Sequence, residues 1–164
     1  MPFFADIQTA VLYPFNLLLS FFQLKDVNGL ALLEYQVIFH FILGGWFVFI
    51  FLKELRLSLI SALLGGTIFS FSGYLANQAH HTNMIYSGIW IPVVFFFCLR
   101  GIRNASIWLW GCPVALALSL VGGHPQITLL TFYAFTGYYC FLSFTEKIPW
   151  KPALSQFFLI LPQL

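Results

Sequence analysis

An all-α, polytopic transmembrane helix bundle is the fold class this sequence predicts, and three observations carry it. Sixty per cent of the residues are hydrophobic and 7% are charged, whereas a soluble domain carries about 25% charged residues. The apolar residues gather in runs close to the roughly 20 residues that cross a bilayer core. The basic residues sit on alternate breaks between those runs.

Five runs qualify as spans: residues 31–52, 57–76, 84–99, 106–121 and 126–144. The third and fourth are short. Each should be helical, because lipid offers no partner to open backbone groups. The breaks fall at residues 53–56, 77–83, 100–104, 122–126 and 145–151. Lys53 and Arg56 lie in the first, Arg100 and Arg103 in the third, Lys147 and Lys151 in the fifth. The second and fourth contain no Lys or Arg, and of the seven basic residues only Lys25 stands apart. Positive charge stays cytoplasmic. The segment around Asp6, the His80-His81 loop and the His124 loop should therefore face outward together, in a multi-pass protein of the cell membrane.

Residues 1–29 read as an outward-facing loop carrying an N-terminal interfacial amphipathic helix. Residues 6–22 are too interrupted to span, with Pro14 and Asn16 in the middle. Asp6 suits an N-cap, since its carboxylate can accept from the free N–H groups of a first turn. Phe3, Phe4, Tyr13, Phe15, Phe21 and Phe22 suit the membrane interface, where amphipathic rings settle. Residues 30–164 read as the bundle, with about five full spans and a truncated sixth. The sixth is the apolar run 153–164, about 18 Å of helix, and it suggests part of a longer protein.

Within the first span, Gln36 and His40 are four residues apart and share a helix face. Polar groups at membrane depth face a bundle or a wet cavity, and His40 reads first as a hydrogen-bonded packing residue. Glu34 falls near the outer mouth of that span. Gly65, Gly66, Ser70, Ser72 and Gly73 in the second span would let helices approach closely. Pro92 and Pro113 interrupt later spans, which bundles tolerate. Cys98, Cys112 and Cys140 fall in apolar segments toward the cytoplasmic ends and should be reduced. The first residues have no basic region of the kind that opens a signal peptide.

The charge asymmetry points to the outward face as the place for chemistry. Candidate residues are Asp6 as a catalytic carboxylate, with Gln8, Glu34, His80, His81, His124 and Gln126 around a substrate. Plainer roles compete at each. Asp6 can simply cap a helix. Adjacent histidines point apart on a helix and make poor joint ligands. Gly122-Gly123 can end one helix and Pro125 open the next. His80, His81 and His124 lack metal-ligand spacing, so no metal is assigned, although a carboxylate at Asp6 leaves a divalent cation open. No phosphate loop, nucleophile elbow or Cys-x-x-Cys is present, nor a basic stripe for nucleic acid. A carboxylate, imidazoles and amides on one face suit a sugar and a phosphate better than an inorganic ion.

In order, Asp6-Ile7-Gln8, Tyr13-Pro14-Phe15-Asn16-Leu17-Leu18, Ser72-Gly73-Tyr74 with a following histidine, Trp90-Ile91-Pro92 and Gly123-His124-Pro125-Gln126 resemble the YfhO-like family of bacterial multi-pass membrane proteins. That family is similar to the GT-C glycosyltransferases. The resemblance covers nearly all of this chain and only the N-terminal to middle part of a family member. It implies an incomplete GT-C-like bundle, a polyprenyl-phosphate-linked sugar as donor, a cell-envelope acceptor on the outer face, and a catalytic carboxylate in the first outer loop. It also implies a further acidic motif just after a preceding transmembrane helix, upstream of these residues, which makes Asp6 a second-site candidate. A non-catalytic transporter or flippase for lipid-linked saccharides, or an assembly partner, is the competing class.

Overall fold

The computed structural model describes residues 7–23, 29–104 and 106–145. Every regular element among them is helical. After a 3-10 turn at Ile7–Thr9 come α1 (Pro14–Gln23), α2 (Gly29–Glu54), α3 (Leu59–Ser70), α4 (Gly73–Asn77), α5 (Thr82–Gly88) and α6 (Ile91–Arg103). A second 3-10 turn, Ser106–Trp110, leads into α7 (Gly111–Val121) and α8 (Pro125–Thr145).

Local chemistry sets these boundaries. Pro14 and Pro125 each occupy a first helical position, where a missing N–H costs nothing. Ser58 caps α3 by accepting from Ser61 N at 3.1 Å, and Ser72 caps α4 by accepting from Leu75 N at 3.4 Å. Lys53, in the last turn of α2, donates to Leu57 O at 3.1 Å.

Four helical stretches are long and apolar enough to cross a membrane: Ala31–Glu54, Leu59–Asn77, Thr82–Arg103 and Pro125–Thr145. The second joins α3 to α4 and the third joins α5 to α6, so both are broken on the way. Four of the five expected runs overlap these stretches. The remaining run, Ser106–Val121, is shorter. It starts as 3-10 helix and continues as eleven α-helical residues, together about 26 Å at the usual rises.

Packing fixes an alternating up-and-down order. Ser70 Oγ of α3 donates to Phe41 O of α2 at 2.8 Å, and a Cβ on Gly66 would lie 2.6 Å from Gly45 O. Backbone meets backbone there, as small residues allow between membrane helices. The α5–α6 stretch runs parallel to α2, with Trp90 against Phe47 and Phe95 against Phe51. Returning alongside α6, Cys112 Sγ of α7 donates to Val94 O at 3.6 Å. The main core joins Val94, Cys98 and Leu99 to Leu109, Cys112, Ala115 and Leu116, and to Phe135, Tyr139 and Leu142 of α8. Cys98, Cys112 and Cys140 are free thiols, the first two buried.

The two ends of the bundle differ in chemistry. The described basic residues, Lys53, Arg56, Arg100 and Arg103, are all at one end, where α2 and α6 finish. There Arg100 Nη1 lies 3.6 Å from Glu54 Oε2, and its guanidinium sits 4.3 Å from the Trp108 ring centroid. Asn104 Nδ2 reaches Glu54 Oε1 at 3.4 Å. The turns bearing His80, His81 and His124 belong to the other end, where α4 meets α5 and α7 meets α8. The charge alternation read along the chain is thus also a spatial separation.

Candidate polar site at the histidine end

The N-terminal segment reaches the bundle through one tight turn. Ala10 adopts a left-handed backbone (φ 49°), a conformation that disfavours a side chain. Its carbonyl accepts from Tyr13 N at 3.0 Å and from Asn16 Nδ2 at 2.8 Å, which holds the turn. Tyr13 is thereby carried inward and is 0% exposed. The sequence placed this ring at the membrane interface; the structure instead buries it, because its hydroxyl finds partners between α2 and the α5–α6 stretch.

Trp90 Nε1 donates to the Tyr13 hydroxyl oxygen at 3.3 Å. Tyr13 Oη lies 2.9 Å from His40 Nε2, and His40 Nδ1 lies 2.7 Å from Gln36 O. A carbonyl only accepts and an indole N–H only donates. With the ring neutral, His40 therefore carries its proton on Nδ1, and Tyr13 O–H donates to Nε2. Rings enclose the chain: Tyr86 stacks on Tyr13 at 4.9 Å and lies 4.6 Å from His40, with Phe15 edge-on to His40 at 5.0 Å. Burial, more than any neighbouring charge, pushes the Tyr13 phenol well above its ordinary range. A second tie follows, from Gln36 Nε2 to Asn16 Oδ1 at 2.7 Å.

The Gly122–Gln126 turn is a second knuckle. A Cβ on Gly122 would lie 2.9 Å from Ser87 N, Ser87 Oγ and Tyr86 C, so only glycine fits against α5. Gly123 has φ 97°, open to glycine and costly for other residues. His124 N then donates to Ser87 Oγ at 3.1 Å, Ser119 Oγ donates to Ser87 O at 3.0 Å, and the Ser119 and Thr128 hydroxyls meet at 2.9 Å. Much of this motif is thus explained by helix packing. The half-buried His124 is held through its backbone at the start of α8, where Gln126 is exposed.

The remaining candidates belong to the same end. Gln8 is exposed in the first 3-10 turn, and Glu34 is exposed in the first half of α2. His80 and His81 are exposed between α4 and α5, and His81 precedes α5 without a side-chain capping bond. Asp6 lies outside the described residues.

Two cavities, one of about 520 Å³ beside Gly45 and Gly66 and one of about 150 Å³ beside Phe47 and Phe97, are apolar and touch none of the candidates. Among the described residues no three His, Cys, Asp or Glu side chains gather as metal ligands. The residues that do converge, Tyr13, Asn16, Gln36, His40, Tyr86 and Trp90, were not singled out as a site. The four-residue spacing of Gln36 and His40, and the motifs that contain Tyr13, Asn16 and Trp90, were the legible signs. The chain matches no protein-family model, no curated protein and no solved structure.

Proposed function

We propose that this chain is part of a membrane glycosyltransferase that moves a sugar from a polyprenyl-phosphate donor to a cell-envelope acceptor on the extracytoplasmic face. The observation that carries the reading is the division of the bundle: Gln8, Glu34, His80, His81, His124 and Gln126 belong to the end opposite every described basic residue. The resemblance to YfhO-like proteins, and through them to GT-C enzymes, supplies the reaction. In this reading the bundle is GT-C-like, and α1 lies along the outer interface, since ten residues cannot cross a bilayer. Asp6 takes or orients the proton of the acceptor hydroxyl. The acceptor oxygen bonds to the anomeric carbon, the bond from that carbon to the phosphate oxygen breaks, and polyprenyl phosphate leaves. His80, His81 and His124 hold phosphate or sugar oxygens, and Gln8 and Gln126 donate to hydroxyls.

The test is sugar transfer by the full-length protein in liposomes from a radiolabelled polyprenyl-phosphate sugar. Asp6→Asn and His124→Ala should each reduce transfer at least about tenfold at equal expression, the low end for losing a catalytic group. Full transfer by both variants overturns the assignment.

One observation favours a second reading. The stretches Leu59–Asn77 and Thr82–Arg103 are both broken toward the histidine end, and discontinuous helices are common in transporters. A flippase would move a fluorescent lipid-linked saccharide between leaflets with no loss of its sugar, an outcome the transferase reading does not allow.

A further inference from the structure

At the basic end, the Arg100 guanidinium has more donors than the described residues match. Gly101 of α6 has no side chain, so Leu109 packs directly on its backbone; a Cβ there would lie 2.6 Å from Leu109 Cγ. That contact carries the 3-10 turn Ser106–Trp110 alongside α6 and sets the Trp108 ring over the guanidinium, 4.3 Å from its central carbon. Stacking engages the flat face of a guanidinium and none of its five N–H donors, which point outward in its plane. Nη1 stands 3.6 Å from Glu54 Oε2, beyond hydrogen-bond length. Nε is buried and has no hydrogen bond among the described residues. The Arg100 side chain as a whole is 36% exposed, so a ligand can approach it.

The surroundings define that ligand. Lys53, Arg56 and Arg103 are exposed at the same end, and Glu54 is the one carboxylate there among the described residues. An anion is therefore favoured. Ile107 and Trp110 are three apart in the 3-10 turn, which puts them on one face, and both are exposed beside the exposed Trp108. Indole rings next to cations at the end of a membrane bundle mark headgroup depth. A soluble anion would meet the charges and leave that apolar face bare, whereas a phospholipid brings a phosphate and acyl chains together. We infer that this end is a binding site for an anionic glycerophospholipid of the cytoplasmic leaflet. Its phosphate oxygens accept from Arg100, held flat by Trp108, and its acyl chains lie against Ile107 and Trp110. The site stands whether or not the opposite end transfers sugar.

The test is native mass spectrometry of the full chain in detergent, titrated with palmitoyl-oleoyl phosphatidylglycerol and with the matching phosphatidylcholine. The phosphatidylglycerol should bind at least about tenfold more tightly, through the surplus of positive charge. Arg100→Gln should weaken it about tenfold, the worth of one charge-assisted hydrogen bond. Arg100→Lys keeps the charge and loses the planar fork, and should weaken it at least about threefold. Glu54→Gln removes the opposing carboxylate and keeps an oxygen for Asn104 Nδ2, now 3.4 Å from Oε1. It should bind phosphatidylglycerol at least about threefold more tightly, a gain that a misfolded variant cannot give. Asn77→Ala, at the opposite end, should bind as the wild type does. Equal affinity for the two lipids, wild-type affinity in Arg100→Lys, or no gain in Glu54→Gln overturns the site. Inorganic phosphate at the lipid's concentration should leave the lipid bound; displacement by it means a site for soluble anions and overturns the lipid assignment.

Discussion

Replacing Tyr13 by Phe removes one oxygen atom and keeps the ring. That oxygen accepts from Trp90 Nε1 at 3.3 Å and engages His40 Nε2 at 2.9 Å. His40 is 0% exposed, so no water replaces the lost partner. An unmatched buried polar group costs about 1–3 kcal/mol. The Trp90 bond is long and only part-buried, which puts its share at the low end of that range. The stacking on Tyr86 and the contact with Phe15 survive, because they belong to the ring. The expected loss is thus about 2–4 kcal/mol. Denaturant unfolding of the purified protein in nanodiscs, followed by tryptophan emission, measures it. Adding His40→Leu to Tyr13→Phe should recover about 1–2 kcal/mol relative to the sum of the single losses, since replacing both partners leaves less to desolvate. A Tyr13→Phe protein within about 0.5 kcal/mol of wild type, the scale of an ordinary surface substitution, would refute the claim that this bond ties the N-terminal segment to the bundle.

Further outcomes follow from the same geometry. Gly122→Ala drives a Cβ against the Ser87 and Tyr86 backbone and should cost at least about 1–3 kcal/mol by overpacking. Gly73→Ala meets nothing within 4 Å and should be neutral or stabilising by up to about 1 kcal/mol in a helix; thermal unfolding of the two variants compares them, and equal melting temperatures contradict the packing role. Burial raises the Tyr13 phenol above its ordinary 10.0. The native state then keeps a proton that the unfolded chain releases, so this contribution is intact below about pH 10 and is lost as the pH rises beyond it. Tyr13→Phe should lack that part of the alkaline decline, which unfolding curves between about pH 9 and 11 would show around the ordinary tyrosine value.

Hydropathy and charge spacing carried most of the fold. They located the long apolar helices and separated basic from histidine-bearing turns, because both signals depend on composition along a helix. The Ser106–Val121 run is visibly short in the sequence, but its uniform apolar content conceals its 3-10 start. Tyr13 read as an interfacial aromatic because amphipathic rings suit that region in general. Its burial follows from the left-handed turn at Ala10, which a non-glycine residue does not announce, and from His40 and Trp90, 27 and 77 residues away in the chain. Gly122 and Gly123 were legible as a helix end, but the Ser87 contact that makes glycine necessary lies 35 residues away from Gly122 in the chain. The candidates Glu34, His80, His81 and Gln126 share one end and remain exposed, so chain order placed them on a face without showing how they meet a substrate.

The claim that the histidine end and the basic end lie on opposite sides of the membrane is tested most directly by labelling single cysteines in intact cells. In a background lacking Cys98, Cys112 and Cys140, Asn77→Cys and Asn104→Cys each place a thiol at an exposed position, one at each end of the bundle. Positive charge at the cytoplasmic side predicts that a membrane-impermeant maleimide labels position 77 and spares position 104 until the cells are lysed. Labelling at 104 with none at 77 would contradict the orientation, and labelling at both before lysis would contradict the separation itself.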